Sequence, residues 1–190
     1  EVDNFDQLEW VGRFLGRIHQ VGQRQPFVHR PTLGLEEYVY QPRQVLANSD
    51  FIPDYLKQTF FADLDRLIAE IEAHWSTDWP ALRLHGDCHP GNILWRDGPM
   101  FVDLDDARNG PAVQDLWMML NGERHDQLAQ LDTLLEAYNE FADFDPRQLK
   151  LIEPLRALRM VHYMAWLAKR WQDPAFPRAF PWFGDAKYWE

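Results

Sequence analysis

The segment from Ala81 to Asp106 departs from the helical patterning around it, and it restricts the possible fold more than any other part of the chain. Short apolar runs at Leu82–Leu84, Ile93–Trp95 and Met100–Val102 are typical of small strands. Asp97-Gly98 stands between the second and third runs, and Asp-Gly in such a place is a strong hairpin signal. The sequence therefore predicts a small β element that contains an antiparallel hairpin.

Apolar residues before this element recur at the three- and four-residue spacing of amphipathic helices. The spacing predicts helices over Asn4–Gly22, with the glycine at its end, and from Pro53 to about Trp75, with the proline in the first turn. The apolar face predicted for the second helix consists of Leu56, Phe60, Leu67 and Ile71. Three prolines in residues 23–50 favour irregular structure with one short helix between the two.

Helical patterning returns after Gly110-Pro111. It covers Val113–Leu120, then the apolar residues of Leu128–Tyr138, then those of Leu151–Ala165. The tail from Trp171 to Glu190 alternates Pro with Phe and Trp, and we expect it to pack against the helices. The predicted fold class is α+β, predominantly helical around a small β element.

Residues 85–92, HGDCHPGN, precede the hairpin and carry polar side chains in a distinctive spacing. Asp87 and Asn92 are spaced like the Asp and Asn of the protein-kinase catalytic loop, where the Asp accepts the proton of the substrate hydroxyl and the Asn holds Mg²⁺. Asn92 leads into one hairpin strand and Asp103 ends the other, so antiparallel pairing brings both to the same end. Two hard oxygen ligands would then face one site, where Mg²⁺ could also bind nucleotide phosphates.

Acidic residues are concentrated in the same segment. Residues 85–106 contain five Asp and a single Arg, a net charge of −4. Such a cluster needs cations, and phosphoryl transfer supplies them because metal ions neutralise the phosphates while a positioned carboxylate orients the attacking hydroxyl.

The motifs HGDCHPGNILW and FVDLDDA resemble those of the aminoglycoside phosphotransferase and choline kinase-like family of the protein-kinase superfamily. The resemblance extends from GRFLGRIH in the first helix to PAVQDLW after the hairpin. It implies the C-terminal lobe of a kinase-like fold, with a catalytic loop at residues 85–92 and a metal-binding hairpin at 93–106. It also implies ATP as the phosphoryl donor and Mg²⁺ as the cofactor.

The resemblance also implies a role for individual residues. By position, the resemblance makes Asp87 the catalytic base and makes Asn92 and Asp103 the Mg²⁺ ligands. It places Asp103 among the catalytic residues together with Asp87. Asp115, in PAVQDLW, is expected to be a buried brace that accepts hydrogen bonds from the catalytic loop. We expect His85 to orient the loop by hydrogen bonding rather than to act as an acid or base.

Within this family the chain most resembles a bacterial Ser/Thr protein kinase of the stress response. The resemblance therefore implies Ser/Thr hydroxyls of proteins as acceptors. The family at large keeps a small-molecule alcohol, such as an aminoglycoside, choline or a homoserine-like metabolite, as the alternative acceptor.

Three departures from the ordinary protein-kinase pattern surround the site. Gly86 stands where those enzymes carry the Arg of the His-Arg-Asp motif, and Leu104 stands where they carry Phe. Only eleven residues separate Asp103 from Asp115. We therefore predict that no phosphorylated activation loop switches this site.

The sequence before His85 lacks the nucleotide-binding features of a kinase. Its glycines are separated, and its single lysine, Lys57, falls in a predicted helix where a solvated face explains it better than a phosphate contact. The chain begins with Glu1 rather than Met. We expect residues 1–190 to be the large lobe of a longer protein, to need their own N-terminal lobe as a partner, and to transfer little or no phosphate alone.

Two other classes of protein remain open. His85, Asp87 and His89 stand at alternate positions, and imidazole is a common zinc and iron ligand, so a metallohydrolase is the competing enzyme class. A kinase-like binding module without catalysis is the third class, although the base and both metal ligands are present.

Three further residues of the segment have open roles. Asp105 and Asp106 fit a metal or substrate site, and they fit a solvated acidic turn equally well. Cys88 has no apparent activating partners, which favours a small filler over a nucleophile.

Composition excludes several classes of function. Nineteen Lys and Arg against 30 Asp and Glu leave a net charge of −11, a poor match for a general nucleic-acid binder. No apolar run approaches the roughly 20 residues that span a bilayer, and a single cysteine excludes an internal disulfide framework. We expect a cytoplasmic protein without nucleic-acid or membrane partners.

Overall fold

A computed structural model describes residue 2 and residues 4–190, so Glu1 and Asp3 lie outside the described residues. The α-helices are α1 (Phe5–Gly22), α2 (Gln41–Ala47), α3 (Asp54–His74), α4 (Arg124–Tyr138), α5 (Ile152–Arg170), α6 (Ala175–Ala179) and α7 (Ala186–Trp189). The strands are β1 (Leu82–Leu84), β2 (Ile93–Trp95), β3 (Pro99–Phe101) and β4 (Arg108–Gly110). This mostly helical fold with small antiparallel sheets confirms the predicted fold class.

The chain divides into two compact units. The first consists of Glu1–Leu33 and Ser76–Ile152, and the second of Gly34–Trp75 and Glu153–Glu190. All the residues singled out from the two motifs belong to the first unit. Within the described ranges, no helix is long and apolar enough to cross a membrane.

Helix α1 begins as its sequence predicts. The Asn4 side chain accepts a hydrogen bond from the backbone N of Gln7 at 2.9 Å, which caps the helix. Leu8, Val11 and Leu15 recur on one buried face and enter the core of the first unit. The helix therefore forms because its cap and its apolar period agree.

Glycines allow α1 to lie close to α4. A Cβ on Gly12 would lie 2.5 Å from the carbonyl oxygen of Leu134, and one on Gly16 would lie 2.5 Å from that of Tyr138. Backbone oxygens cannot move away cheaply, so any larger residue would push the helices apart. Buried Leu134 and Tyr138 then pack into the same core as α1.

The first unit contains two small antiparallel sheets. Strands β2 and β3 form the predicted hairpin, in which Ile93 pairs with Phe101 and Trp95 pairs with Pro99. Strand β1 pairs with β4, which the apolar pattern did not predict because Arg108-Asn109-Gly110 contains no apolar residue. The three residues of β4 are nevertheless buried.

The segment from Val113 to Leu120 forms two short 3-10 turns, Ala112–Asp115 and Trp117–Met119, instead of one helix. Within the first turn, the side chains of Gln114 and Asp115 are both buried and hydrogen-bonded to the loop at residues 85–86. These hydrogen bonds tie the turn to the loop and favour it over a continuous helix.

The second unit contains α3, which spans nearly the predicted residues and buries Ile71 of the predicted face. Leu64, Ile68 and Ile71 are buried, whereas Leu67 is 39% exposed, so the predicted face is wrong at that residue. Residues 23–50 contain more helix than expected, because a π-helical turn at Glu36–Tyr40 leads directly into α2.

The aromatic tail packs within the second unit, as expected from its composition. Phe183 is fully buried, and its ring lies 4.8 Å from that of Phe51 and 5.1 Å from that of Trp189, between ring centroids. The ring of Trp189 also lies 5.5 Å from that of Phe60 in α3. These rings form an apolar cluster in the second unit.

Candidate active site

The buried carboxylate of Asp115 holds the start of the 85–92 loop. Its Oδ2 accepts a hydrogen bond from the backbone N of His85 at 2.8 Å, and its Oδ1 accepts one from the backbone N of Gly86 at 2.9 Å. Asp115 is inaccessible to solvent. A buried carboxylate is tolerated only when its oxygens are hydrogen-bonded, so these contacts fix both partners.

The residue at position 86 must be glycine. Gly86 has a φ of +91°, and a Cβ there would lie 2.0 Å from the carbonyl oxygen of Asp106. The Gly86 carbonyl accepts a hydrogen bond from Gln114 Nε2 at 2.9 Å. The backbone thus fills the space that the Arg of the ordinary kinase motif would need, which explains that departure.

Asn92 links the loop to the hairpin. Its Nδ2 donates a hydrogen bond to the carbonyl oxygen of Asp87 at 3.0 Å, which leaves Oδ1 as the oxygen suited to bind a cation. The backbone N of Val102 donates to the carbonyl oxygen of Asn92 at 3.0 Å. Asp103 therefore directly follows the residue that pairs with Asn92, and Asp87 is bound to the same asparagine.

Asp103 has an unusual backbone conformation. With a φ of +62°, it is the one non-glycine residue of the described ranges in the left-handed region. Asp tolerates this region better than most residues, and such conformations cluster at functional sites. The side chain is exposed. Amide oxygen from Asn92 and carboxylate oxygen from Asp103 form a hard donor set that fits Mg²⁺.

The two histidines of the loop point to different partners. His85 is buried, and its Nε2 lies 2.8 Å from the carbonyl oxygen of Val102, so the ring ties the loop to the residue before Asp103. His89 Nδ1 accepts a hydrogen bond from the backbone N of Gly91 at 3.0 Å, which leaves its Nε2 3.4 Å from Asp87 Oδ2.

The described part of the chain contains no group of three or more His, Cys, Asp or Glu side chains that could hold a metal ion. The alternate positions of His85, Asp87 and His89 therefore do not converge on a common point.

The family is decided by a comparison with known proteins. The model of the phosphotransferase enzyme family matches residues 1–152. The chain belongs to this family. The match includes the loop at residues 85–92, the hairpin and Asp115.

Curated phosphotransferase relatives match the whole chain. Stress response kinase A of Escherichia coli (strain K12) is 61% identical over 189 residues, which cover 100% of this chain and 58% of that protein. Serine/threonine protein kinase RdoA of Salmonella typhimurium (strain LT2) is 57% identical over 190 residues, with the same coverage. The chain thus spans less than two thirds of the length of these relatives.

Solved phosphotransferase structures share the fold. An amicoumacin kinase in complex with AMP-PNP, Ca²⁺ and Ami has a TM-score of 0.66 at 16% identity, over 95% of this chain and 58% of that one. The AMP-bound spectinomycin phosphotransferase APH(9)-Ia has a TM-score of 0.66 at 18% identity, over 96% of this chain and 63% of that one. At these identities the likeness shows the fold alone.

The remaining candidates of the phosphotransferase motif lie around the turn after Asp103. Asp105 and Asp106 are exposed. The Asp105 carbonyl accepts a hydrogen bond from Arg30 Nη1 at 2.6 Å, and Asp106 Oδ1 accepts one from Arg108 Nη2 at 3.0 Å. Both contacts hold the turn itself.

Cys88 is enclosed in the loop beside Asp87. It is 1% exposed, and burial raises the pKa of its thiol well above the ordinary value, with the charges of Asp115 and Asp87 adding to the effect. A thiol in this setting stays protonated and fits a filler of the core.

Lys57 lies in α3 of the second unit, where its Nζ is 2.7 Å from Asp54 Oδ1 and its side chain is 39% exposed. This is an ordinary ion pair on one helix face.

Sequence reasoning missed two residues that support the loop. Gln114 was part of the PAVQDLW motif but had no assigned role, and it donates to Gly86. His19 was the last residue of GRFLGRIH, and its Nε2 lies 2.8 Å from Asp115 Oδ2. The signal for His19 was available, because it continues the apolar face of Val11 and Leu15 with a polar residue.

Proposed function

We propose that this chain supplies the catalytic loop and the metal ligands of an ATP- and Mg²⁺-dependent kinase. The observation that carries the proposal is the linkage through Asn92. Its Nδ2 donates a hydrogen bond to the backbone oxygen of Asp87, and its carbonyl oxygen accepts one from the backbone N of Val102, the residue before Asp103. Its Oδ1 remains for a cation. A base and two hard oxygen ligands are thereby held on adjacent backbone.

Asp87 acts on the acceptor in this proposal. Its carboxylate orients the acceptor hydroxyl and takes its proton as the hydroxyl oxygen bonds to the γ-phosphorus of ATP. The bond from that phosphorus to the bridging β,γ oxygen breaks in the same step, and ADP leaves. His89 Nε2, 3.4 Å from Asp87 Oδ2, helps to hold the carboxylate in place.

Asn92 and Asp103 would hold Mg²⁺ through amide and carboxylate oxygens. When bound, the metal neutralises charge on the phosphates. The left-handed backbone at Asp103 positions one donor, and the hydrogen bond from Asn92 Nδ2 to the Asp87 carbonyl oxygen positions the other. His85 and Asp115 act as supports. Asp115 accepts a hydrogen bond from the backbone of the loop, and His85 Nε2 contacts the carbonyl oxygen of Val102, the residue before Asp103.

The nucleotide needs groups that residues 1–190 do not supply in this proposal. Lys57, the single lysine before the loop, is paired with Asp54 in α3. The relatives are longer than this chain, which covers 58% of Stress response kinase A. We therefore place the phosphate-binding lysine and the Gly-rich loop in an N-terminal lobe of the full-length protein.

Ser or Thr hydroxyls of proteins are the proposed acceptors. The support is the 57% identity to a relative named Serine/threonine protein kinase RdoA, and the names of the other relatives favour a role in the stress response. A small-molecule alcohol is the second candidate, because the solved relatives of the same fold include a spectinomycin phosphotransferase and an amicoumacin kinase.

Residues 104–114 contain no Ser, Thr or Tyr, so no hydroxyl between Asp103 and Asp115 can be phosphorylated to switch the site. The free, buried Cys88 is compatible with the reducing cytoplasm, where we place the protein.

The test uses full-length protein with γ-labelled ATP. Label is followed into a generic protein acceptor, into a panel of aminoglycosides, choline and homoserine, and into a reaction without acceptor. We expect Mg²⁺-dependent label on Ser or Thr of protein. Label confined to a small alcohol would replace the proposed acceptor class. Stoichiometric zinc retained through dialysis, without transfer, would favour the metallohydrolase instead.

A further inference from the structure

A buried polar chain runs from α4 through α1 to the catalytic loop. Tyr138 at the end of α4 is 2% exposed, His19 in α1 is 1% exposed, and Asp115 is inaccessible. The hydroxyl of Tyr138 lies 2.9 Å from His19 Nδ1, and His19 Nε2 lies 2.8 Å from Asp115 Oδ2. Asp115 in turn binds the backbone of the loop.

The Asp115 carboxylate fixes the direction of its hydrogen bond with His19. The Asp115 carboxylate already accepts from the backbone N of His85 and of Gly86, so His19 Nε2 donates the third bond to it. In the neutral ring Nδ1 then accepts from the Tyr138 hydroxyl. Burial raises the pKa of Tyr138, and the charge of Asp115 raises it further, so the hydroxyl keeps the proton that it donates.

The position of His19 depends on the close contact of α1 with α4. Gly16 lies one turn before His19, and its Cα faces the backbone oxygen of Tyr138 so closely that an added Cβ would be 2.5 Å away. The helices therefore meet where His19 must reach between Tyr138 and Asp115. A hydrogen bond to a buried charge is among the stronger ones in proteins, so loss of the His19 bond leaves Asp115 with substantially weaker support.

We propose that His19 is a positioning residue for phosphoryl transfer, which acts through Asp115 on the backbone of His85 and Gly86 and thereby on Asp87. Tyr138 supports it by fixing the imidazole. The inference rests on the proposed function for its kinetic part only. His19 touches neither Asp87 nor the two metal ligands in any hydrogen bond described above.

Two substitutions of His19 distinguish the roles of its two ring nitrogens. In His19→Gln, the amide nitrogen of the introduced side chain reaches the place of Nε2 and keeps a donor for Asp115. The shorter amide of His19→Asn reaches only the place of Nδ1 and leaves Asp115 without that donor. Phe144→Leu is the packing control, since the Phe144 ring lies against Tyr138, 6.0 Å between centroids, and makes no bond of the chain.

The experiment measures two quantities on folded full-length variants. We expect His19→Asn to lower kcat by about ten- to a hundredfold with KM for Mg-ATP within about twofold, because the loop is misplaced while the ligands remain. We expect backbone hydrogen exchange at residues 85–86 to become at least about threefold faster. His19→Gln and Phe144→Leu should keep both values near wild type, and Tyr138→Phe should fall between.

Hydrogen exchange keeps the inference separate from the proposed function. If wild-type protein transfers no phosphate, the proposed function fails, while exchange at residues 85–86 still tests the link from His19 to the loop. Equal loss of kcat in His19→Gln and His19→Asn, with exchange unchanged, would overturn the positioning role. Wild-type kcat and exchange in a folded His19→Asn protein would overturn it as well.

Discussion

At the scale of single residues, Asp87 is the group on which the proposed chemistry depends. We predict that Asp87→Asn in the full-length protein keeps Mg-ATP binding but lowers turnover by at least about two orders of magnitude, the scale of positioned acid–base catalysis. The amide has nearly the same shape and cannot take the hydroxyl proton. Steady-state kinetics with labelled ATP measure the turnover, and Asp97→Asn, an exposed Asp of the hairpin turn, is the control. Unchanged turnover would remove Asp87 from the mechanism.

Asp103 has a different expected signature because its carboxylate is proposed to bind the metal. Asp103→Ala should raise the Mg²⁺ concentration needed for half-maximal nucleotide binding by at least about tenfold. Titration of Mg²⁺ at fixed nucleotide measures this. Asp103→Asn separates charge from backbone strain, since Asn tolerates the φ of +62° that Ala disfavours. Asp97→Ala removes the same charge from the hairpin turn, and an equal effect there would argue against a ligand role.

At the scale of elements, the contact of α1 with α4 positions the support of the loop. Ala normally stabilises a helix by about 1 kcal/mol relative to Gly. Gly16→Ala should instead destabilise the protein by about 1–3 kcal/mol, because its Cβ would meet the Tyr138 carbonyl oxygen. Denaturant unfolding measures the change, with Gln20→Ala on the exposed face of α1 as the control. A Gly16→Ala protein as stable as the control would show that the helices can separate without cost.

Elements with their own local signal were predictable, and elements defined by distant partners were not. Asp97-Gly98 indicated its hairpin, and the apolar spacing up to Gly22 indicated α1, because the turn and the helical period are local. Strand β4 exists because β1 pairs with it, and its own residues carry no strand pattern. The buried face of α3 was wrong at Leu67, since an apolar residue there fits the period but the packing of the unit selects Ile68.

The candidate site shows the same division. The hairpin register predicted that the end of the return strand pairs with Asn92, because the register depends on neighbouring sequence, and the backbone N of Val102 does donate to the Asn92 carbonyl oxygen. The need for glycine at position 86 depends on the carbonyl oxygen of Asp106, and the role of His19 depends on Asp115, which lies far along the chain. The polar residue on the apolar face of α1 marks position 19 as unusual, but only the structure shows that its partner is Asp115.

At the scale of the whole molecule, the acidic residues are distributed unevenly along the chain, and this distribution affects how the proposed site would bind a nucleotide. Part of the net charge of −11 is the −4 of residues 85–106, the segment that contains the proposed base and metal ligands. Without a lobe that supplies cationic phosphate ligands, this acidic surface repels the phosphates of ATP. The active site is therefore incomplete in residues 1–190 under the proposed function.

This gives a prediction for the chain alone. Purified residues 1–190 should show no phosphoryl transfer above the rate without enzyme at saturating Mg-ATP, whereas the full-length protein should transfer phosphate to its acceptor. Circular dichroism must first show the helical content of α1 to α7, so that inactivity is not a failure to fold. Asp87→Asn full-length protein sets the background rate. Turnover by folded residues 1–190 that approaches the full-length rate would refute the need for a second lobe, and would require phosphate ligands within this chain.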